Sequence, residues 1–390
     1  MKFLFTTNPL LGHFLPMLPL IRAARAAGHQ VRVATGADLA PAVHRHGFPI
    51  WAIGPKMSQL WAELAASADP TQTEAEQQRN AAIALFARPA VARARQLVPM
   101  AEAWRPHVVV HDLYELAGGE AAAGSGAADV VHGFGTHVAD LPEFAQLVGS
   151  VVAEELGTPN RVSDIFTAPY LDPCPPSLQS PDVDSFRNVL DIRPEVGVVS
   201  PGERLPDPMR RLPYKRTIYL TLGTAFNDPD AWWLVLEAVR EMEVNVIATT
   251  GTDLDPAVFG PQPAHVAMAR FLPQALVLRQ VDAVVCHAGS GTMLGALAEG
   301  RPIVALPKAA DQFANAEQIV RTGAGMAVRP EERTVETIRS AIEQVLDTLT
   351  CAQAAYALQA EIAAMPSAEQ RVAELVERAS ALAANSGSAA

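Results

Sequence analysis

The sequence predicts an α/β protein built from two doubly wound domains that face one another across a cleft. Three observations carry this expectation. A chain of 390 residues is too long for one ordinary core and suits two, and 49% hydrophobic residues can fill both. Each half alternates short apolar runs with longer helical patterns, as βαβ units on a parallel sheet do. Between the halves, 201–216 collects Pro201, Pro206, Pro208 and Pro213 among charged side chains, a composition that suits an interdomain linker.

In the first domain, expected over 1–200, the strand Lys2–Thr6 leads into a helix over about 15–27 and a strand over 31–35. Met17, Leu20, Ile21 and Ala24 share one face of that helix, Pro16 and Pro19 fall in its first turn, and Gly28 is placed to end it. Further strands are expected at 49–53, 107–111 and 130–133. The stretch 56–88 shows no strand alternation and includes the polar run 69–80, so it reads as a helical insertion of the kind that shapes a binding pocket. The second domain, expected over 217–366, repeats the logic with strands at 217–222, 245–250, 265–269, 282–287, 302–306 and 325–329. The small, polar end, 383–390, reads as a frayed tail.

A net charge of -12 argues against nucleic acid or an anionic membrane as the main partner, because both attract basic surfaces. Three scattered cysteines make neither a disulfide framework nor a zinc pattern. The apolar start is cut short by Thr6, Thr7 and Asn8, and no run reaches the ~18 apolar residues of a membrane span, so a cytoplasmic protein is expected. The number of subunits stays open, a homo-oligomer included.

The most informative segment is 271–318. There the strand at 282–287 runs through the turn His287-Ala-Gly289-Ser290-Gly291 into a helix beginning near Thr292. Two glycines let a ligand approach the backbone, Ser290 and Thr292 add hydroxyls, and a new helix offers free N–H groups and a positive dipole end to an anion. Elsewhere, strand ends carry His13, Asp112 and Thr224. For each, a cap or turn role competes with a catalytic or phosphate-binding one. His111, His132 and His137 lie near Asp112, and the first two continue apolar strands as structural residues would. Asp182-Val-Asp184 and Asp253-Leu-Asp255 sit in polar loops beside Pro181 and Pro256, where paired acids are ordinarily solvated turns, so no metal is expected. No Gly-x-Gly-x-x-Gly follows the first strand, which weighs against a nicotinamide cofactor.

Phe271-x-Pro273-Gln274, His287-Ala-Gly-Ser-Gly-Thr292 and Asp311-Gln312-Phe-Ala-Asn315-Ala together resemble the donor-site signature of family 1 glycosyltransferases of the GT-B fold. Among these the chain is most similar to bacterial enzymes that glycosylate antibiotics and other natural products, of calicheamicin and spinosyn type. Gly12-His13, Pro175-Pro176-Ser177-Leu178 and Leu220-Thr-Leu-Gly223-Thr224 extend the resemblance. It implies two Rossmann-like domains, with a last helix over 367–384 crossing back onto the first.

By the same resemblance, His13 takes a proton from an acceptor hydroxyl and Asp112 holds its ring. Gly223, Thr224, Phe271, Gln274, His287, Gly289, Ser290, Gly291, Thr292, Asp311 and Gln312 surround the donor. The donor is a nucleotide diphosphate sugar used as co-substrate, with no further cofactor. Phe271 stands where the family usually has Trp. Uridine-nucleotide relatives carry Glu eight residues after the turn histidine, and here that position is Gly295, which implies a deoxythymidine diphosphate (dTDP) sugar. Trp51, Met57, Trp61 and Phe86 could line an apolar acceptor pocket or belong to the core. An epimerase of the same fold and a non-catalytic nucleotide-sugar-binding protein are the competing functions. The first needs no acceptor pocket and the second needs no base.

Overall fold

The computed structural model describes residues 1–390 apart from 67–68, 70, 138–139, 196, 198–201, 224–228, 252–253 and 388–390. The first sheet contains β1 (Lys2–Thr6), β2 (Gln30–Thr35), β3 (Ile50–Ala52), β4 (Val108–Asp112), β5 (Ala128–His132), β6 (Tyr170–Asp172) and β7 (Val189–Asp191). All pairs are parallel and the order is β3-β2-β1-β4-β5-β6-β7. The second sheet contains β8 (Thr217–Thr221), β9 (Asn245–Thr249), β10 (Val266–Ala269), β11 (Ala283–Cys286), β12 (Ile303–Ala305) and β13 (Gly325–Ala327), ordered β10-β9-β8-β11-β12-β13. Helices cover both faces of each sheet, which is why Phe3, Leu4 and Phe5, like Val108, Val109 and Val110, are all buried rather than alternating.

In each sheet the strand order reverses at the first strand, between β1 and β4 and again between β8 and β11. Loops leaving the carboxyl ends there diverge and open a crevice. Thr6 lies opposite His111 and Thr221 opposite Cys286, so the segments after β1 and β4, and those after β8 and β11, emerge side by side.

One local expectation needs correction, and two strands lie where none is expected. The helix after β1 spans Leu11–Ala26, beginning four residues earlier than expected, with His13 and Phe14 donating backbone N–H to the Leu10 carbonyl. Pro16 and Pro19 are therefore interior residues, and their missing N–H groups leave the Gly12 and Leu15 carbonyls without the usual partner. In addition, β6 and β7, three residues each, are too short to leave a periodic signal.

Each half of the chain also supplies packing to the other. Ala368, Val372, Leu375 and Ala379 of the helix Ala368–Gly387 join the core formed by Phe14, Met17, Leu18 and Ile21. Cys174 and Leu178 are buried with Met293, Leu297, Leu358 and Ile362 of the second half. The Pro175–Leu178 segment is a joint: Arg321 donates to the carbonyls of Ser177 at 2.7 Å and Gln179 at 3.2 Å, and the Ser177 N–H donates to Glu361 at 2.9 Å.

His111, buried on β4, pairs with Asp129 of β5 at 3.2 Å. Burial alone would lower the His111 pKa, but Asp129, aided by Glu115 and the Asp112 carbonyl, pushes it up to about 9. Because the folded-state value is raised, this pair stabilises the protein fully below pH 6.5 and loses that contribution as pH rises through 9. Asp129→Asn should lower the melting temperature at pH 6 and have little effect at pH 10, as thermal scans would show. An equal loss at both values would mean the pair acts through packing alone.

Candidate active site

The crevice at the β1/β4 switch point holds a histidine and a carboxylate. His13, in the first turn of its helix, places Nδ1 3.1 Å from Oδ1 of Asp112. Asp112 is buried at the end of β4. Its Oδ1 also accepts the Tyr114 N–H at 2.8 Å, and its Oδ2 accepts the Asn8 N–H at 2.7 Å and the Thr7 hydroxyl at 3.1 Å. Burial would raise this carboxyl, but His13 and the backbone donors outweigh it and bring the pKa to about 2. An ionised acceptor at Nδ1 fixes the tautomer, so Nδ1 carries the proton and Nε2 is left with a lone pair. The His13 side chain is 16% exposed, with Phe134 against its face at 4.6 Å between ring centres.

Sequence patterns missed the residues behind this pair. Arg93 is buried and donates to Asn8 Oδ1 at 2.5 Å, and it lies 3.8 Å from Glu115. Glu115 in turn accepts the Thr6 hydroxyl at 2.5 Å and the Gly118 N–H at 3.1 Å. This network fixes the loop whose N–H groups hold Asp112. A buried arginine 85 residues from the asparagine it contacts leaves no local signal; only its burial inside a helix face marks it.

At the β8/β11 switch point, His287 follows β11 and the helix Ser290–Ala298 starts after Gly289, with no side chain capping its first turn. Gly223 and Gly289 pack against the His287 ring. A Cβ at Gly223 would meet Nε2 at 2.7 Å, and one at Gly289 would come closer still. Gly223 also has φ +84°, where side chains are disfavoured. Burial lowers the His287 pKa more than Asp311 and the Thr221 backbone raise it, so the ring is neutral at neutral pH and carries one N–H donor. Ala288, between them, has φ +61°, a strained value for alanine.

The remaining donor-side residues fall into several groups. Ser290, Asp311 and Asn315 bond to one another: the Ser290 hydroxyl donates to Asp311 at 2.7 Å, and Asn315 Nδ2 lies 3.0 Å from both. The Asp311 carboxylate therefore does not cap the helix Gln312–Arg321 that it precedes. Gln312 is buried, with its carbonyl oxygen occupied by the Lys308 and Ala309 N–H groups at 2.8 and 3.2 Å. Gln274 Nε2 donates to the Thr292 hydroxyl at 3.1 Å. Gly291 is exposed, and Phe271 is 72% exposed. Thr224 lies outside the described residues.

The four apolar acceptor candidates do not cluster. Trp51 packs edge-on to Trp104 at 5.6 Å beneath Arg32, in the helix-covered core with Leu97 and Ala101. Met57 opens the helix Met57–Ala66, its N–H bonded to Asp38, and Trp61 lies half-exposed on the same helix. Phe86, in the π-helical turn Ile83–Ala87, reaches the surroundings of His13 through other rings. It contacts Tyr114 at 5.5 Å and Phe144 at 5.1 Å, and Tyr114 contacts Phe134 at 5.8 Å. These rings form an apolar wall leading to His13.

Among the described residues, neither Asp-x-Asp tripeptide gathers further acidic or histidine side chains. Asp182 bonds to Ser180, and Asp255 caps the turn Pro256–Phe259 and pairs with Arg270, while Asp253 lies outside the described residues. Among the described residues, no group of three His, Cys, Asp or Glu could hold a metal ion, and no helix is long and apolar enough to cross a membrane.

Residues 22–223, just over half of the chain, match the family model for the N-terminal domain of erythromycin biosynthesis protein CIII-like proteins, and 233–378 match that for the C-terminal domain. The chain belongs to this glycosyltransferase family. The L-demethylnoviosyl transferase of Streptomyces niveus is 30% identical over 88% of this chain and 89% of its own. The elloramycin glycosyltransferase ElmGT of Streptomyces olivaceus is 32% identical over 86% and 88%. The solved structure of the spinosyn rhamnosyltransferase SpnG complexed with thymidine diphosphate superposes with a TM-score of 0.79 at 25% identity, covering 96% of this chain and 100% of that one. The fold is GT-B, and the protein is a natural-product glycosyltransferase.

Proposed function

We propose that this glycosyltransferase moves a deoxysugar from a dTDP-sugar to a hydroxyl of an apolar aglycone, by one in-line displacement that inverts the anomeric carbon. The observation that carries the reading is the pairing of His13 with an ionised Asp112 at one switch point while a histidine and an uncapped helix terminus occupy the other. The acceptor hydroxyl gives its proton to Nε2 of His13 as its oxygen bonds to the anomeric carbon. The imidazolium so formed is held by Asp112. The bond from that carbon to the diphosphate breaks, and its electron pair leaves on the phosphate oxygen. His287, the first-turn N–H groups of the Ser290–Ala298 helix and Thr292 stabilise that charge, so the step needs no metal. Asp311 and Gln312 are assigned to the sugar hydroxyls, and the Phe86, Tyr114, Phe134 and Phe144 wall to the aglycone.

Gly295 supports the choice of nucleotide. It is buried within the Ser290–Ala298 helix and offers no carboxylate to a ribose 2′-hydroxyl. Such a charged hydrogen bond is worth about 1.5–3 kcal/mol, or roughly tenfold to 150-fold in affinity. Calorimetry should therefore find thymidine diphosphate bound at least as tightly as uridine diphosphate, and a mass-spectrometric screen of aglycones with dTDP-sugars should give product in the presence of chelator. Clearly tighter uridine diphosphate binding would show that another residue reads the ribose and would overturn the donor assignment.

A further inference from the structure

Asn315 is fully buried and uses both ends of its amide. Nδ2 faces the Ala288 carbonyl at 2.8 Å and, at 3.0 Å, both Ser290 Oγ and Asp311 Oδ2. Oδ1 accepts the hydroxyl of Thr136 at 2.6 Å, across 179 residues of sequence and from the other domain, with the Thr136 N–H farther away at 3.4 Å. The residue before it, Gly135, lies directly on Ser290, so that any side chain there would collide with the Ser290 hydroxyl. One side chain thus holds the strained Ala288 carbonyl, orders the Ser290–Asp311 pair and ties all three to the loop following β5.

We infer that Asn315 is a positioning residue that couples assembly of the donor turn to closure of the cleft through Thr136. If the domains separate, Oδ1 of Asn315 loses its hydroxyl donor while Nδ2 keeps its contacts with Ala288, Ser290 and Asp311. Closure and donor binding then share one contact, and by reciprocity donor binding favours closure by the same factor by which closure favours donor binding. The inference rests on the donor reading above only for the identity of the nucleotide. The contact itself involves no group placed at the reacting atoms.

Thr136→Val keeps the shape of the side chain and removes the donor, and Thr136→Ser keeps the donor. Loss of one buried neutral hydrogen bond predicts about three- to tenfold weaker thymidine diphosphate binding in Thr136→Val, with a matching rise in KM for the donor and kcat nearly unchanged at saturation. Small-angle scattering of the same variant should show a larger radius of gyration than wild type, with Thr136→Ser restoring both values and melting temperatures equal in all three. A Thr136→Val protein that binds nucleotide and scatters as wild type does would overturn the coupling. So would weakened binding that serine does not restore. If wild type bound no thymidine diphosphate at all, the donor assignment alone would fail, and the scattering comparison without nucleotide would still decide the coupling.

Discussion

Replacing His13 with Ala is expected to leave folding and nucleotide binding intact while lowering kcat by about 10²- to 10⁴-fold, the range a positioned general base supplies. The side chain lies in the exposed-edge first turn of a helix, where alanine is well tolerated. Asp112 would keep its bonds from Asn8, Tyr114 and Thr7, so its buried charge is not orphaned and the variant should remain folded. Circular dichroism and calorimetry establish those controls, and single-turnover kinetics measures the chemical step. Turnover close to wild type would remove His13 from the mechanism and leave Asp112 without a role in proton transfer.

His287→Ala should lower kcat by about 10²- to 10³-fold, the loss typical of one donor aimed at developing charge. The neutral ring sits between Gly223 and Gly289, and the closeness of both glycines to it indicates that the turn is built around the imidazole. Alanine leaves that space without a donor to the departing diphosphate. Because the charge grows as the bond breaks, kcat should fall more than affinity for the free nucleotide. Measuring kcat and KM separately decides the matter. A raised KM with unchanged kcat would make His287 a contact for the ground state only.

Much of the donor side was legible in consecutive residues. Strand, glycine turn and helix over 282–299 follow from an apolar run, two glycines and a helical pattern, and the structure bounds them as Ala283–Cys286 and Ser290–Ala298. The alternation of strands and helices likewise predicted parallel sheets, because a run buried on both faces reads as continuous hydrophobicity. What escaped is of a different kind. The first helix starts four residues before its sequence pattern suggests, because Pro16 and Pro19 favour a first turn locally, while packing of Phe14 and Met17 against the sheet holds the helix together around them. Trp51 and Phe86 look equally suited to an apolar pocket as residue types. Only the position of β3 beside Trp104, and of the π-helical turn beside Tyr114, sends one into the core and the other toward the site.

Sequence by itself determined the two-domain α/β plan, the glycine turn between strand and helix and the placing of histidines at the strand ends, since periodicity, turn chemistry and capping are properties of neighbouring residues. Tertiary structure decided the pairings: Asp112 to His13 across 99 residues, Arg93 to Asn8 across 85 and Thr136 to Asn315 across 179. The first two depend on strand order within one sheet, and the third on how the two domains meet. A hydrogen bond of that kind is set by the placement of whole elements, which the spacing of residues along the chain does not encode.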